Sequence, residues 1–269
     1  MESVGTRRRG TTGSVPLVVI GKHFHLVSHR VMGIKMIDAK IIVALDYADI
    51  SKAYRLIDQL DPGRCKLKVG KEMFTRFGPS FVQKLVKDGF KVFLDLKFHD
   101  IPNTVRKSCE AACDLGVWMV NVHALGGAEM ICAARLGLGN SSGAPLLTAV
   151  TILTSHDHNS LSEIGLVSDI PTEVRRLGKL AYENGADGVV CSAHEIEVIR
   201  EATSEEFLAV TPGIRLSKDN PADQKRIMTP KSAIISGSNY LVIGRSISES
   251  AKPMSVIQEI EKEISFSHV

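Results

Sequence analysis

The feature that most constrains this chain is a regular alternation of short β-branched, apolar runs with helix-like stretches of mixed polarity. The apolar runs are Ile41–Leu45, Lys66–Val69, Val92–Leu96, Val117–Val122, Leu146–Ile152, Gly188–Cys191, Phe207–Val210 and Tyr240–Ile243. The helix-like stretches are Ser51–Leu60, Gly78–Asp88, Asn103–Leu115, Gly127–Leu136, Thr172–Glu183, His194–Glu201, Lys231–Ser236 and Pro253–Glu263. Repeated β-then-α units imply parallel strands with right-handed crossovers, and eight of them predict an α/β fold, the closed (β/α)8 TIM barrel. An open doubly wound sheet is the alternative, but no GxGxxG follows the first run.

A single domain is predicted for residues 36–269, because that length suits one barrel and no low-complexity linker interrupts it. Residues 1–35 contain Arg7–Arg9 and a short apolar stretch, Val15–Ile20, that Gly21 and Lys22 break. No small-residue cleavage site follows cleanly. We therefore interpret residues 1–35 as a disordered extension or a start-site artefact.

Charge and cysteine usage exclude several classes of protein. The net charge of +3 is lower than is typical of a nucleic-acid-binding protein. The sequence contains no run of about eighteen apolar residues, so no membrane span is predicted. None of the five cysteines lies in a CxxC pair, which argues against zinc. An odd number of cysteines without a disulfide framework favours a reducing compartment, so we expect a cytoplasmic protein.

The strongest chemical signal is the sequence DLKFHD at the end of the third run, because active sites of such barrels lie at the carboxyl ends of the strands. Asp95 and Lys97 are two positions apart, so on a strand they face the same side, and Asp100 follows on the loop. Asp46 and Lys68 end neighbouring strands. A solvated strand end with surface ion pairs is the alternative. However, so many charges gathered at one mouth are tolerable only when they pair alternately, and such clusters are more often functional than structural.

A second signal follows the last two strands, where barrels often bind phosphate. The sequence TPGIR follows the seventh run and IGR ends the eighth. Gly213 and Gly244 allow an anion to approach the backbone, and Arg215 and Arg245 offer planar, bidentate donors. The alternative is that these are turn glycines and surface arginines.

Histidines at four positions raise the question of a metal site: His99, His123, His156 and His158. No further ligand at metal spacing supports one, so we interpret them as solvated or hydrogen-bonded side chains. A Ser/His/Asp triad is equally unsupported, since no GxSxG elbow occurs.

Several stretches resemble orotidine 5′-phosphate decarboxylases of the bacterial type. They are Lys68–Gly70, Asp95–Thr104, Val150–Ser155, Thr211–Arg215, Asp223–Pro230 and Ile243–Arg245. The likeness runs from about residue 38 to 262, and the stretch Asp95–Thr104 alone is highly specific. The resemblance implies decarboxylation of orotidine 5′-monophosphate to uridine 5′-monophosphate, the last step of de novo UMP synthesis, without metal or cofactor.

The resemblance also implies a role for each member of the charge cluster. Lys97 would protonate C6 of the pyrimidine, and Asp95 would lie beside the departing carboxylate. Lys68, Asp95, Lys97 and Asp100 would form a row of alternating positive and negative charges. Asp100, together with Ile101 and Thr104, would complete the site of a partner subunit, so the expected assembly is a homodimer.

The remaining substrate contacts are carried over in the same way. Asp46 and Lys68 would contact the ribose hydroxyls, and Thr154 and Ser155 the pyrimidine. Arg215, Gln224, Gly244 and Arg245 would bind the phosphate, and Pro212 would be a further substrate contact. Residues 215–224 are the candidate closing loop.

The sequence departs from the usual family pattern at two places, and two other functions are alternatives to the decarboxylase. Ser246 stands where the family often has proline, and the 35-residue extension is outside the usual pattern. A related barrel group shares the Asp-x-Lys-x-x-Asp pattern but decarboxylates or condenses ketose phosphates using magnesium. The other rival is an inactive nucleotide sensor, which the intact charge cluster argues against.

Overall fold

Eight parallel strands close into a barrel in a computed structural model that describes residues 38–167, 169–216 and 228–265. The strands are β1 Ile41–Leu45, β2 Lys66–Gly70, β3 Val92–Phe98, β4 Met119–His123, β5 Leu146–Val150, β6 Gly188–Val190, β7 Leu208–Thr211 and β8 Tyr240–Ile243. The helices are α1 Ile50–Ile57, α2 Lys71–Lys87, α3 Pro102–Asp114, α4 Gly127–Leu138, α5 His158–Glu163, α6 Ile170–Glu183, α7 Ile196–Ala202, α8 Pro230–Ile235, α9 Arg245–Ser248 and α10 Pro253–Ser265. Strand order follows chain order, and β1 also pairs with β8. The predicted closed barrel is confirmed, and the open sheet is excluded.

Side chains alternate between two apolar layers because successive strand residues point to opposite faces. The larger layer lies between the strands and the helices. The smaller one fills the barrel lumen with Ile42, Ala44, Phe93, Met119, Val210 and Val242. On β3 and β4 the next inward positions are Asp95 and Asn121. The lumen therefore changes from apolar to polar towards the carboxyl ends of the strands.

A buried lysine closes the opposite end of the lumen. Lys66 is 1% exposed, and its Nζ lies 2.8 Å from Asp38 Oδ1 and 4.9 Å from the ring centroids of Trp118 and Tyr240. Burial lowers the Lys66 pKa, although the hydrogen bond and charge of Asp38 oppose that effect. These contacts place a satisfied ion pair at the floor of the barrel, away from the mouth.

Helix α2 differs from its sequence-based prediction. It begins at Lys71, directly after β2, rather than at Gly78. Gly78 has φ 66 and interrupts the helical geometry, and Pro79 opens the segment that follows. A proline suits the first turn of a helix, so the pattern marked the second segment and missed the first.

Some expectations fall outside the described residues. These are the extension at residues 1–35, Gln224, and the candidate closing loop beyond Leu216. Among the described segments, none of the helices combines the length and the apolar character needed to cross a membrane.

Candidate active site

A cavity of about 330 Å³ opens at the carboxyl ends of the strands, a size that suits a small-molecule site. Of the site residues predicted from sequence, eleven line it: Asp46, Lys68, Asp95, Lys97, Thr154, Ser155, Pro212, Gly213, Arg215, Gly244 and Arg245. The structure thus gathers side chains and backbone from β1, β2, β3 and the segments after β5, β7 and β8 around one space.

The charged side of the cavity is a chain of alternating ion pairs. Lys97 Nζ lies 2.6 Å from Asp95 Oδ1, and Lys68 Nζ lies 3.4 Å from Asp95 Oδ2. Lys68 Nζ is also 3.4 Å from Asp46 Oδ1. Alternation lets each charge offset part of the desolvation cost of its neighbours. We call Asp46, Lys68, Asp95 and Lys97 the charge array.

Asp95 is the most enclosed carboxylate of the array, with a side chain 13% exposed. Burial on its own raises the Asp95 pKa. The charges of Lys68 and Lys97, with hydrogen bonds from Lys97 and Asn121, outweigh burial and hold the pKa below its usual value. Asp95 therefore presents a fixed negative charge at neutral pH.

The strand that carries Asp95 and Lys97 is irregular at this point. Lys97 has φ 52, and the register between β3 and β4 shifts between Leu94 and Phe98. Both side chains still reach the cavity, but simple strand alternation does not account for the backbone of Lys97.

Two backbone hydrogen bonds fix the arginine side of the cavity after β7. Met228 N donates to Gly213 O at 3.2 Å, and Arg215 N donates to Met228 O at 3.1 Å. Gly213 has φ 79, which a side chain would disfavour. These contacts position Arg215 on the cavity wall.

A hydrogen bond joins the segment after β1 to the segment after β8, the two strands that close the barrel. Tyr47 Oη donates to Ser248 O of α9 at 2.9 Å. Tyr47 follows Asp46, and α9 begins with Arg245 directly after Gly244. The bond therefore links the loop that carries a member of the array to the segment that carries an arginine.

Sequence reasoning missed the apolar wall of the cavity, which consists of Ala44, Phe93, Val150, Ile152, Leu153, Val190, Cys191 and Val242. The available signal was position, since Val150, Ile152 and Val190 end or follow strands five and six. Apolar residues there look like ordinary core residues, so composition alone does not separate them. Asn121, which contacts both Asp95 and Lys97, was also left out of the predicted site.

Three predicted residues do not line the cavity of their own chain. Asp100, Ile101 and Thr104 are exposed, with Ile101 67% exposed. Asp100 Oδ1 accepts a hydrogen bond from Ile101 N at 2.7 Å at the start of α3. The structure therefore brings Lys68, Asp95 and Lys97 together in the cavity. Asp100, although it is close to them in sequence, lies exposed outside the cavity wall.

Histidines lie at the edge of the charge array. The rings of His99 and His123 stack with centroids 5.5 Å apart. Burial, and then the nearby charges of His99, Lys97, Lys71 and His156, lower the His123 pKa to about 4. Within the described ranges, no three His, Cys, Asp or Glu side chains are grouped to hold a metal ion.

Fold and site together define a (β/α)8-barrel protein with an ionic cavity at the carboxyl ends of its strands. A family profile described as "Orotidine 5'-phosphate decarboxylase / HUMPS family" matches residues 39–260. The orotidine 5'-phosphate decarboxylase of Nitrosococcus oceani is 52% identical over 227 residues, which cover 84% of this chain and 98% of that protein. That of Vibrio cholerae serotype O1 is 53% identical over 230 residues, or 85% and 100% of the two chains. This chain belongs to the orotidine 5'-phosphate decarboxylase / HUMPS family.

Solved structures agree with this placement. The crystal structure of orotidine 5'-phosphate decarboxylase from Lactobacillus acidophilus has a TM-score of 0.75 and 39% identity, covering 84% of this chain and 99% of that one. The enzyme of the same name from Pyrococcus horikoshii has a TM-score of 0.68 at 23% identity, which supports the fold alone.

Proposed function

We propose that this protein decarboxylates orotidine 5′-monophosphate to uridine 5′-monophosphate and carbon dioxide, without a metal or cofactor, as the last step of de novo UMP synthesis. The observation that carries the proposal is the contact of Lys97 with Asp95, and of Asp95 with Lys68, inside the cavity. Family membership and the names of relatives at 52% and 53% identity support the choice of substrate.

The proposed reaction depends on the Lys97 ammonium and the Asp95 carboxylate, whose Nζ and Oδ1 atoms lie 2.6 Å apart. With the substrate carboxylate beside Asp95, breaking the bond from C6 to that carboxylate releases neutral carbon dioxide and relieves a like-charge contact. The electron pair stays on C6, where the Lys97 ammonium stabilises it. Lys97 then donates a proton to C6 and regains one from solvent.

The rest of the substrate spans the cavity in this proposal. Asp46 and Lys68 bind the ribose hydroxyls, and Thr154 and Ser155 contact the pyrimidine. The phosphate lies against Pro212, Arg215, Gly244 and Arg245, with Gln224 as a further contact outside the described residues. Binding energy gathered at the phosphate, remote from C6, then serves to close the site and orient the reacting centre.

The same proposal makes the functional unit a homodimer in the cytoplasm. Asp100, Ile101 and Thr104 complete the partner's cavity, which is supported by their exposure and by their absence from the wall of their own. Ile101, which is 67% exposed directly before α3, would be covered by the partner in such a dimer. The five cysteines, all within the described residues, form no disulfide with one another, in keeping with a reducing compartment.

The test follows the ultraviolet change of orotidine 5′-monophosphate as it is consumed, with a chelator present. The native chain is expected to turn over substrate, and Lys97→Ala to lose at least about a thousandfold in kcat while still binding uridine 5′-monophosphate. Lys87→Ala, which removes an exposed lysine of α2 outside the cavity, is the matched control and should behave like the native chain.

Other outcomes would replace the proposal. Magnesium-dependent turnover of a ketose phosphate, abolished by the chelator, would instead favour the related barrel group that shares the Asp-x-Lys-x-x-Asp pattern. Tight binding of uridine 5′-monophosphate by a folded native chain that converts neither substrate would indicate a nucleotide sensor.

A further inference from the structure

Asn121 contacts two members of the charge array at once. It lies on β4, is 0% exposed, and faces the lumen beside β3. Its Nδ2 donates to Asp95 Oδ1 at 2.7 Å, and its Oδ1 accepts from the backbone N of Lys97 at 2.7 Å. Both ends of one buried amide are therefore used by the groups proposed to carry the chemistry.

The hydrogen bond from Lys97 N to Asn121 Oδ1 lies where the pairing of β3 with β4 is irregular. Leu94 is level with Val120 and Phe98 with Val122, so four steps along β3 match only two along β4. Lys97 lies inside this bulge at φ 52, a left-handed conformation that is strained for a non-glycine residue. The Asn121 carbonyl supplies the acceptor for the Lys97 N–H, and so it holds the strained residue in place.

The bond to Asp95 fixes the direction of the carboxylate. Asp95 Oδ1 accepts from both Lys97 Nζ and Asn121 Nδ2, which leaves Oδ2 turned towards Lys68 at 3.4 Å. Because the amide is neutral, it sets this orientation without adding a charge to the array. The hydrogen bond from the amide also favours the ionised form of Asp95, and so it helps to preserve the negative charge needed beside the substrate carboxylate.

We propose that Asn121 is a positioning residue that aligns Asp95 and the backbone of Lys97 for decarboxylation. This inference rests on the proposed function. Preorganised geometry acts in the transition state more than in substrate binding. Asn121 lines no part of the cavity wall, so its loss should lower kcat and leave the affinity for nucleotide nearly unchanged.

The first experiment compares Asn121→Ala with Thr148→Val. Thr148 is the register partner of Asn121 on β5, is equally buried, and donates its hydroxyl to Val120 O. For Asn121→Ala we expect kcat to fall about a hundredfold, with KM and the Kd for uridine 5′-monophosphate within about threefold of native. Thr148→Val should keep kcat within a few-fold, even where both variants lose similar stability.

The second experiment uses Asn121→Asp, which keeps the acceptor for the Lys97 N–H. When that aspartate is ionised it repels Asp95, and when protonated it can donate to Asp95 as the amide does. The charged groups at this level are Asp95 and Lys97 on β3 and Lys68 on β2; on β5 the register neighbour Thr148 is neutral. We expect kcat of the variant relative to native to rise at least about fivefold as pH falls from about 8 to about 5.

The outcomes separate this inference from the proposed function. Absence of turnover by the native chain would remove the proposed function itself. Normal turnover by the native chain, together with Asn121→Ala within threefold of native kcat or with equal losses in both buried-polar variants, would overturn the positioning role. If Asn121→Ala does not fold, Asn121→Asp decides, because a flat ratio of its kcat to native across pH contradicts the proposal.

Discussion

At the scale of single residues, the site depends on charges whose neighbours fix their protonation. Asp95 stays ionised because two lysines and an amide outweigh its burial, while His123, near the same lysine, stays neutral because burial and nearby cations oppose its charge. The sequence predicted the facing pair Asp95 and Lys97 from their spacing. It could not predict φ 52 at Lys97, because that angle arises from the pairing of β3 with β4 and from the Asn121 side chain.

The depressed His123 pKa predicts a pH-dependent stability. Between about pH 4 and about 6.5 the unfolded chain binds a proton at His123 that the folded chain does not, so stability rises with pH across this window and is lost as pH falls through it. In His123→Asn the amide oxygen can replace Nδ1 as acceptor for Leu125 N. Urea unfolding at pH 7 and pH 4.5 should show an acid-induced loss smaller by about 1–2 kcal/mol than in the native chain. An equal loss in both proteins would contradict the assignment.

At the scale of elements, periodicity predicted all eight strands and missed two of the short helices. All eight predicted runs became strands, with shifts at the ends such as Met119 in place of Val117 for β4. Helices α5 and α9 were not predicted. They span six and four residues, and neither belongs to the one helix expected after each strand; local bonds define α5, such as the capping box of Asp157 and Ser160.

Close packing of α3 against α4 predicts that a larger side chain at their contact would destabilise the fold. A Cβ on Gly137 of α4 would overlap Arg106 O of α3, which is backbone and cannot move freely. Alanine favours a helix over glycine by about 1 kcal/mol, but overpacking at this contact should outweigh that gain. We expect Gly137→Ala to lower the free energy of unfolding by about 1–3 kcal/mol in urea titrations. Gly143→Ala, whose Cβ meets nothing within 4 Å, is the control and should change stability little.

At the scale of the whole molecule, the barrel explains how groups distant in sequence meet. Asp46 and Arg245 are far apart in the chain, yet β1 pairs with β8 and both residues line one cavity. Counting β-then-α units was enough to place these residues at one mouth, since the mouth is a property of the topology. The positions of Asp100, Ile101 and Thr104 were different, because what they contact in a dimer depends on a second copy of the chain. Their role rests on the family resemblance and on their exposure.

A mixing experiment tests that shared site directly. Lys97→Ala removes the proposed proton donor from its own cavity, and Asp100→Asn removes the carboxylate offered to the partner's cavity. Each variant alone should be nearly inactive. In a mixed dimer, one cavity combines an intact Lys97 with an intact Asp100 from the other chain, and the second cavity lacks both. Random pairing of equal amounts makes half of the dimers mixed, so co-refolding should restore roughly a quarter of the native activity per site.

The mixing experiment also distinguishes an Asp100 that acts in the partner's cavity from one that acts in its own. If Asp100 acted within its own chain, every cavity of the mixed dimer would retain one defect, and mixing would restore nothing. Doubling one variant relative to the other gives the control, because activity should then track the fraction of mixed dimers rather than the total protein. With two parts of one variant to one of the other, that fraction falls from about one half to about four ninths.

A second control places both substitutions on one chain and mixes that chain with the native chain. There the mixed dimer holds one defect in each cavity, so only native–native dimers should be active, again roughly a quarter of the native activity per site.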